Sequence, residues 1–163
     1  MDRLWSPWRM EYIRAAKDEP PDAPCIFCRI GAGEESERVL AREDLAYVVL
    51  NKYPYSPGHV LVIPARHVGD LEDVADDENL ALQQLLQRSV KALSEEYAPH
   101  GFNIGMNLGR VAGAGVPEHL HWHVVPRWSA DTSFMPVVGQ TLVLPELVEE
   151  TAKRLAPRFM SPK

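Results

Sequence analysis

"PEHLHWHVVPRW", residues 117–128, places histidines at 119, 121 and 123, every second position of one short run. In an extended chain successive side chains alternate between faces. His119, His121 and His123 then share one face, while Leu120, Trp122 and Val124 share the other. The pattern reads as a β-strand whose apolar side packs on a core and whose imidazole row, at a spacing of ~6.6 Å, faces a cleft. A single histidine in a strand is usually structural. Three of the chain's six histidines in strict alternation point to chemistry. Two chemistries use such a row: a three-histidine metal site, and a nucleophilic histidine whose neighbours fix its tautomer and bind charge.

Residues outside the row help to separate the two. "NLGRVAGAG" (107–115) runs toward the histidines and belongs to a stretch with glycines at 105, 109, 113 and 115, beside Asn107. Backbone N–H groups in such a loop can approach an anion closely. A glycine-rich loop feeding a histidine row points to phosphate at the imidazoles. "GHVLVIPARH" (58–67) supplies His59 and His67. The only cysteines, Cys25 and Cys28, lie in "CIFC". Flanked by "PPDAP" and "RIGAGEE", the pair reads as a loop and short turn, which favours a metal knuckle over a thioredoxin-like redox pair. Metal chemistry then falls to these cysteines plus two histidines.

Three β-type runs precede the row: "RVLARE", "LAYVVLN" and "HVLVIPA", separated by "REDL" and "YPYSPG". "DDENLALQQLLQRSVKALSEEYA" has Leu82, Leu86, Val90, Leu93 and Tyr97 at helical spacing, with Asp76 or Asp77 as cap and Pro99 just beyond. "GFNIGMNLG" and "HLHWHVVP" give two more strands, and a helix from about Pro145 to Leu155 follows. The expected fold is α+β, a mainly antiparallel five-stranded sheet with one long helix and a C-terminal helix.

The 163 residues, 45% hydrophobic and 25% charged, suit one globular domain. A polar, proline-rich connector, "KDEPPDAP", sets off an N-terminal arm, residues 1–24, in which Trp5 and Trp8 are expected to pack on something. The net charge of −6 argues against polymeric nucleic acid or an anionic membrane as partner, yet leaves room for a small phosphate ligand. "MDRLWSPWRMEYI" lacks the apolar centre of a signal peptide. No apolar run approaches the ~20 residues of a membrane span. A cytoplasmic location is expected.

"HLHWHVV" fits the signature His-apolar-His-apolar-His-apolar-apolar, with "GHVLVIPARH" and "NLG" at the expected places before it. The chain therefore resembles the histidine-triad (HIT) superfamily of nucleotide hydrolases and transferases, over roughly residues 25–128, with 129–163 as a C-terminal extension. "LWSPWRMEY" and "WSADTSFMPVVGQTLVLPEL" resemble the branch acting as diadenosine tetraphosphate phosphorylases.

The resemblance implies a HIT-like fold and a nucleotidyl transferase or hydrolase acting on dinucleoside polyphosphates at the α-phosphate, with inorganic phosphate or water completing the reaction. It makes His121 the nucleophile, with His123 and His59 beside it. Asn107 and the backbone of Gly113 to Gly115 would meet phosphate oxygens, and Asn51 the ribose. Cys25, Cys28, His67 and His119 would hold a structural zinc, and the long helix with a neighbouring strand would pair a homodimer. That helix's apolar stripe also looks broad for a small sheet alone. One departure stands out. Many members carry Gln followed by Ser or Thr shortly before the first histidine, where this chain has Ala114, Gly115 and Val116. Rival readings are a purine nucleoside phosphoramidate hydrolase and a non-catalytic, zinc-stabilised nucleotide-binding module. His100 receives no role.

Overall fold

The computed structural model describes residues 24–34, 36–129, 131 and 146–160. The N-terminal arm with Trp5 and Trp8, and most of the segment after the histidine row, lie outside the described residues. Among the described residues five strands form one sheet: β1 (Val39–Arg42), β2 (Ala46–Leu50), β3 (Val60–Pro64), β4 (Gly101–Met106) and β5 (Trp122–Arg127). Their order is β1-β2-β3-β5-β4, and every pairing is antiparallel. Among the described residues three α-helices accompany them: α1 (Ile26–Ala32), α2 (Asp76–Tyr97) and α3 (Val148–Met160). The expected α+β architecture is the one found.

β2 and β3 are buried along their whole length, because both sheet faces are covered. Val48, Leu50, Val60, Val62 and Val124 meet Leu82, Leu85, Leu86 and Leu93 of α2 and Leu155 and Phe159 of α3 in the main core. The opposite face carries Tyr47, Val49, Leu61 and Ile63, which pack on Phe27 and Ile30 of α1. Among the described residues no helix is long and apolar enough to cross a membrane.

Several sequence-based expectations need correction. "CIFCRIGA" is not a loop and turn; α1 starts directly after Cys25 and ends at Gly33, whose φ of 118° closes it. Neither Asp76 nor Asp77 caps α2. Ala75 occupies that position, and Glu78 reaches back to accept its N–H at 3.0 Å. The C-terminal helix starts at Val148 rather than Pro145 and continues five residues beyond Leu155, through Pro157. The broad apolar stripe of α2 is covered within the chain, by the sheet and α3 together. Finally, β5 begins at Trp122, so of the three alternating histidines only His123 lies in the sheet ladder. Trp122 and Val124 do pack toward the main core as the alternation requires.

Candidate active site

The turn between β2 and β3 delivers His59. Asn51 N–H bonds the His59 carbonyl at 3.0 Å, Tyr53 N–H bonds Asn51 Oδ1 at 3.0 Å, and Ser56 Oγ reaches the Pro126 carbonyl at 2.8 Å. Gly58 is needed here. Its φ is +76°, and a Cβ would lie 2.9 Å from Leu93 Cδ2. His59 is fully buried. Tyr55 N–H points at its Nδ1 at 3.1 Å, and Asn51 Nδ2 lies 3.3 Å from the same atom. A backbone amide can only donate, so Nδ1 is the acceptor and the proton sits on Nε2. His59 Nε2–H therefore donates to His123 Nδ1 at 3.0 Å, which places the His123 proton on Nε2. Burial, then the neighbouring His123 and His121, push the His59 pKa down to about 3, in keeping with a neutral ring. The Tyr55 ring lies tilted against the His59 imidazole at 4.8 Å and stacks on that of His123 at 6.0 Å.

His121 is buried, and its Nδ1 lies 2.9 Å from the His119 carbonyl oxygen. A carbonyl can only accept. Nδ1 is thus the protonated nitrogen, and Nε2 keeps its lone pair. Burial holds the pKa of this imidazole below the ordinary histidine range, and the bond to the His119 carbonyl opposes that shift. Its ring centroid is 5.1 Å from that of His123.

His119 faces the other way. Its Nε2 donates to the Pro64 carbonyl at 3.0 Å, leaving Nδ1 3.4 Å from Cys25 Sγ and 3.6 Å from Cys28 Sγ. His67 Nδ1 is 3.3 Å from Cys28 Sγ. The four donor atoms lie within 4.8 Å of one another. Two thiols and two imidazoles, one with its remote N–H fixed on a carbonyl, fit a tetrahedral zinc ion with no open position. Burial and the adjacent Cys25 raise the Cys28 thiol pKa, so the helix start does not by itself make a reactive thiolate. Chain packing brings the ligands together. Leu120 N–H bonds the Val68 carbonyl at 2.7 Å, and a Cβ at Gly69 would press on the Glu118 backbone at 3.1 Å. Tyr47 Oη, fully buried, donates to the Phe27 carbonyl at 2.7 Å and docks α1 on the sheet.

The glycine-rich loop leads from β4 to the histidines, since Gly105 pairs with His123 and Met106 with Trp122. Within it, Gly113 N–H bonds the Arg110 carbonyl at 3.0 Å and Ala114 N–H bonds the Gly109 carbonyl at 3.2 Å. The Gly113 N–H expected to face an anion is thus engaged inside the loop, with φ at +98°. Gly115 N–H has no acceptor among the described residues. Asn107 Nδ2 bonds the Gly113 carbonyl at 3.5 Å. His100 lies at the far end of β5, where its N–H bonds the Arg127 carbonyl and its ring meets Ser129.

The predicted residues thus form two groups back to back: His59, His121 and His123, and Cys25, Cys28, His67 and His119. Residues 32–130 match the HIT domain model. The chain belongs to the HIT family. An AP-4-A phosphorylase of Mycobacterium tuberculosis (strain CDC 1551 / Oshkosh) is 43% identical over 98% of this chain and 85% of its own. Adenosine 5'-monophosphoramidase of Schizosaccharomyces pombe is 33% identical over 63% of this chain and 74% of its own. A zinc-bound histidine triad family protein from Mycobacterium smegmatis superposes with a TM-score of 0.69 at 29% identity, covering 83% of this chain and 92% of that one. Two side chains at this HIT site escaped the sequence reading. Phe27 was legible only as the aromatic residue inside Cys-x-x-Cys, and Tyr55 only as part of a turn signal.

Proposed function

We propose that this chain cleaves dinucleoside polyphosphates at the α-phosphorus through a nucleotidyl-His121 intermediate. The carrying observation is the bond from His121 Nδ1–H to the His119 carbonyl, which leaves Nε2 as a fixed lone pair. In the first displacement Nε2 bonds to phosphorus as the bond to the bridging oxygen breaks, and the nucleoside polyphosphate departs. In the second, an oxygen of phosphate or water bonds to phosphorus and the P–N bond breaks. His123, carrying its proton on Nε2, is a donor for charge developing on the phosphoryl oxygens, and His59 holds it in that tautomer. Asn51 is assigned to the ribose, and Asn107 and Gly115 to the phosphate oxygens. Gly113 contributes through the shape it gives the loop.

Phosphate is the favoured second nucleophile, because the relative named AP-4-A phosphorylase matches along nearly the whole chain. The second reading, a phosphoramidate hydrolase, draws on the fungal phosphoramidase, whose match covers less of the chain. A zinc ion at Cys25, Cys28, His67 and His119 would stabilise the fold and take no part in the steps. We further assign residues 25–128 as the core of a single domain, in a cytoplasmic homodimer. The supporting feature for the dimer is β4, an edge strand with Ile104 exposed beside a loop exposing Leu108.

Turnover of a panel of dinucleoside polyphosphates and nucleoside phosphoramidates, with and without phosphate, tests the substrate assignment. Phosphate-dependent cleavage of the former is expected. Faster turnover of phosphoramidates would reverse the ranking. His121→Asn should keep nucleotide binding and lose about 10⁴-fold in kcat. Two displacements retain configuration at a chiral phosphorus, so inversion would exclude the intermediate. Sedimentation as a monomer at micromolar concentration would remove the dimer.

A further inference from the structure

The backbone that orients His121 is held by few ladder bonds. β5 begins one residue after it, so neither His119 nor His121 belongs to the sheet. Between Val116 and Trp122 the described backbone bonds are His119 N–H to the Val116 carbonyl at 3.4 Å and Leu120 N–H to the Val68 carbonyl at 2.7 Å. Yet the His119 carbonyl must sit still, because it alone accepts the His121 Nδ1–H. That carbonyl shares a planar peptide unit with the Leu120 N–H, which bonds the Val68 carbonyl next to His67, and the His119 side chain adds a second hold, with Nε2 on the Pro64 carbonyl and Nδ1 turned to the two thiols.

A second link runs through α1. Phe27 lies between Cys25 and Cys28. Its ring meets His119 edge-on at 5.6 Å and His121 at 4.9 Å. α1 has seven residues and no side-chain cap at its N-terminus, and is far too short to persist unaided. Its anchors are the Tyr47 bond, the Arg42 bonds to the Ile30 and Gly31 carbonyls, the Phe27 and Ile30 contacts and the thiol–imidazole cluster, which alone grips its first turn by side chains that a metal would join.

We propose that metal held by Cys25, Cys28, His67 and His119 positions the nucleophile as well as stabilising the fold, acting through the His119 carbonyl and the Phe27 ring on His121. His119 and Phe27 are positioning residues, and neither needs to touch substrate. Freed from the metal, the His119 side chain and the His67–Val68 segment hold that peptide unit less firmly, and α1 relaxes its pressure on the imidazole. His121 can then turn or exchange its proton between nitrogens. A ring bearing its proton on Nε2 presents no lone pair to phosphorus. Metal occupancy thereby sets the fraction of molecules able to begin the reaction. The inference rests on His121 as the nucleophile.

The test uses ¹⁵N-histidine-labelled protein at one fixed pH near neutrality, in the zinc-loaded, chelator-stripped and reloaded states. The loaded protein should show His121 as a single Nδ1–H tautomer. The stripped protein, with unchanged far-UV circular dichroism, should show a mixture that zinc restores, and pre-steady-state nucleotidylation should fall at least tenfold. Phe27→Leu, which leaves all four ligands in place, should bind zinc normally and lose kcat at nearly constant KM. Where stripping unfolds the chain, Phe27→Leu decides alone. A single unchanged His121 tautomer in the folded, stripped protein, or wild-type kcat in Phe27→Leu, would overturn the proposal. The tautomer readout needs no substrate. Failure of the function assignment would appear instead as undiminished turnover in His121→Asn.

Discussion

His59 and His123 are joined by a 3.0 Å hydrogen bond that runs one way only, from His59 Nε2–H to His123 Nδ1, because Tyr55 N–H occupies the other side of His59. Removing the donor frees His123 to carry its proton on either nitrogen. His59→Leu leaves the Tyr55 N–H without its acceptor, so a lower Tm is expected, and native far-UV circular dichroism is to be checked before its kinetics are read. Its kcat should fall about 10²-fold with little change in KM. Wild-type kcat in this variant would show that the His123 tautomer does not matter.

Stability should depend on pH through His59. Its folded pKa, about 3, lies below the ordinary histidine value near 6.5. Between those values the unfolded chain binds the extra proton, so its stabilising contribution is full above about 6.5 and declines as pH falls toward 3. Thermal melts should hold a plateau above neutrality and drop progressively below it. His59→Leu should flatten that acid limb; an unchanged slope would place the titrating group elsewhere.

Cys25→Ser replaces one of the four clustered donors with a poor ligand. Elemental analysis should find about one zinc per wild-type chain and far less in the variant, with Tm lower by on the order of 10 °C. A metal-free wild-type protein indifferent to chelators would mean that the four side chains are merely packed.

Tyr47→Phe deletes the hydroxyl that bonds the Phe27 carbonyl and leaves that buried acceptor without its donor. The cost should be about 1–3 kcal/mol, visible as a Tm shift of ~2–4 °C per kcal/mol. Zinc should also dissociate faster, because α1 carries Cys28 and follows Cys25. Unaltered zinc release would detach the docking of α1 from the cluster.

The sheet was readable in the sequence because β2 and β3 are apolar runs bounded by turn residues, and α2 because its leucines recur at helical spacing. Alternation also assigned Trp122 and Val124 to the core side. What stayed hidden was held by contacts remote in sequence. α1 lacks a side-chain cap at its N-terminus and is held by Tyr47, twenty positions beyond Phe27, and by Arg42, whose guanidinium bonds the Ile30 and Gly31 carbonyls. Asp76 and Asp77 looked like caps, yet Glu78 bonds the Ala75 N–H because Arg66 holds its carboxylate from the end of β3. The tautomers of His59, His119 and His121 are set by Tyr55 N–H and by the carbonyls of Pro64 and His119, and backbone atoms carry no residue signature.

The double coverage of β2 and β3 also ranks how the molecule opens. Their five-residue ladder is shielded on both sides, whereas β1 pairs through an irregular register at one edge and α1 is a single short helix. Amide hydrogens of Val48, Val49, Leu61 and Val62 should therefore exchange with solvent last, by the global route, and those of α1 early, by a local one. Cys28 can accordingly leave and return by detachment of one short segment while the sheet beneath it stays closed.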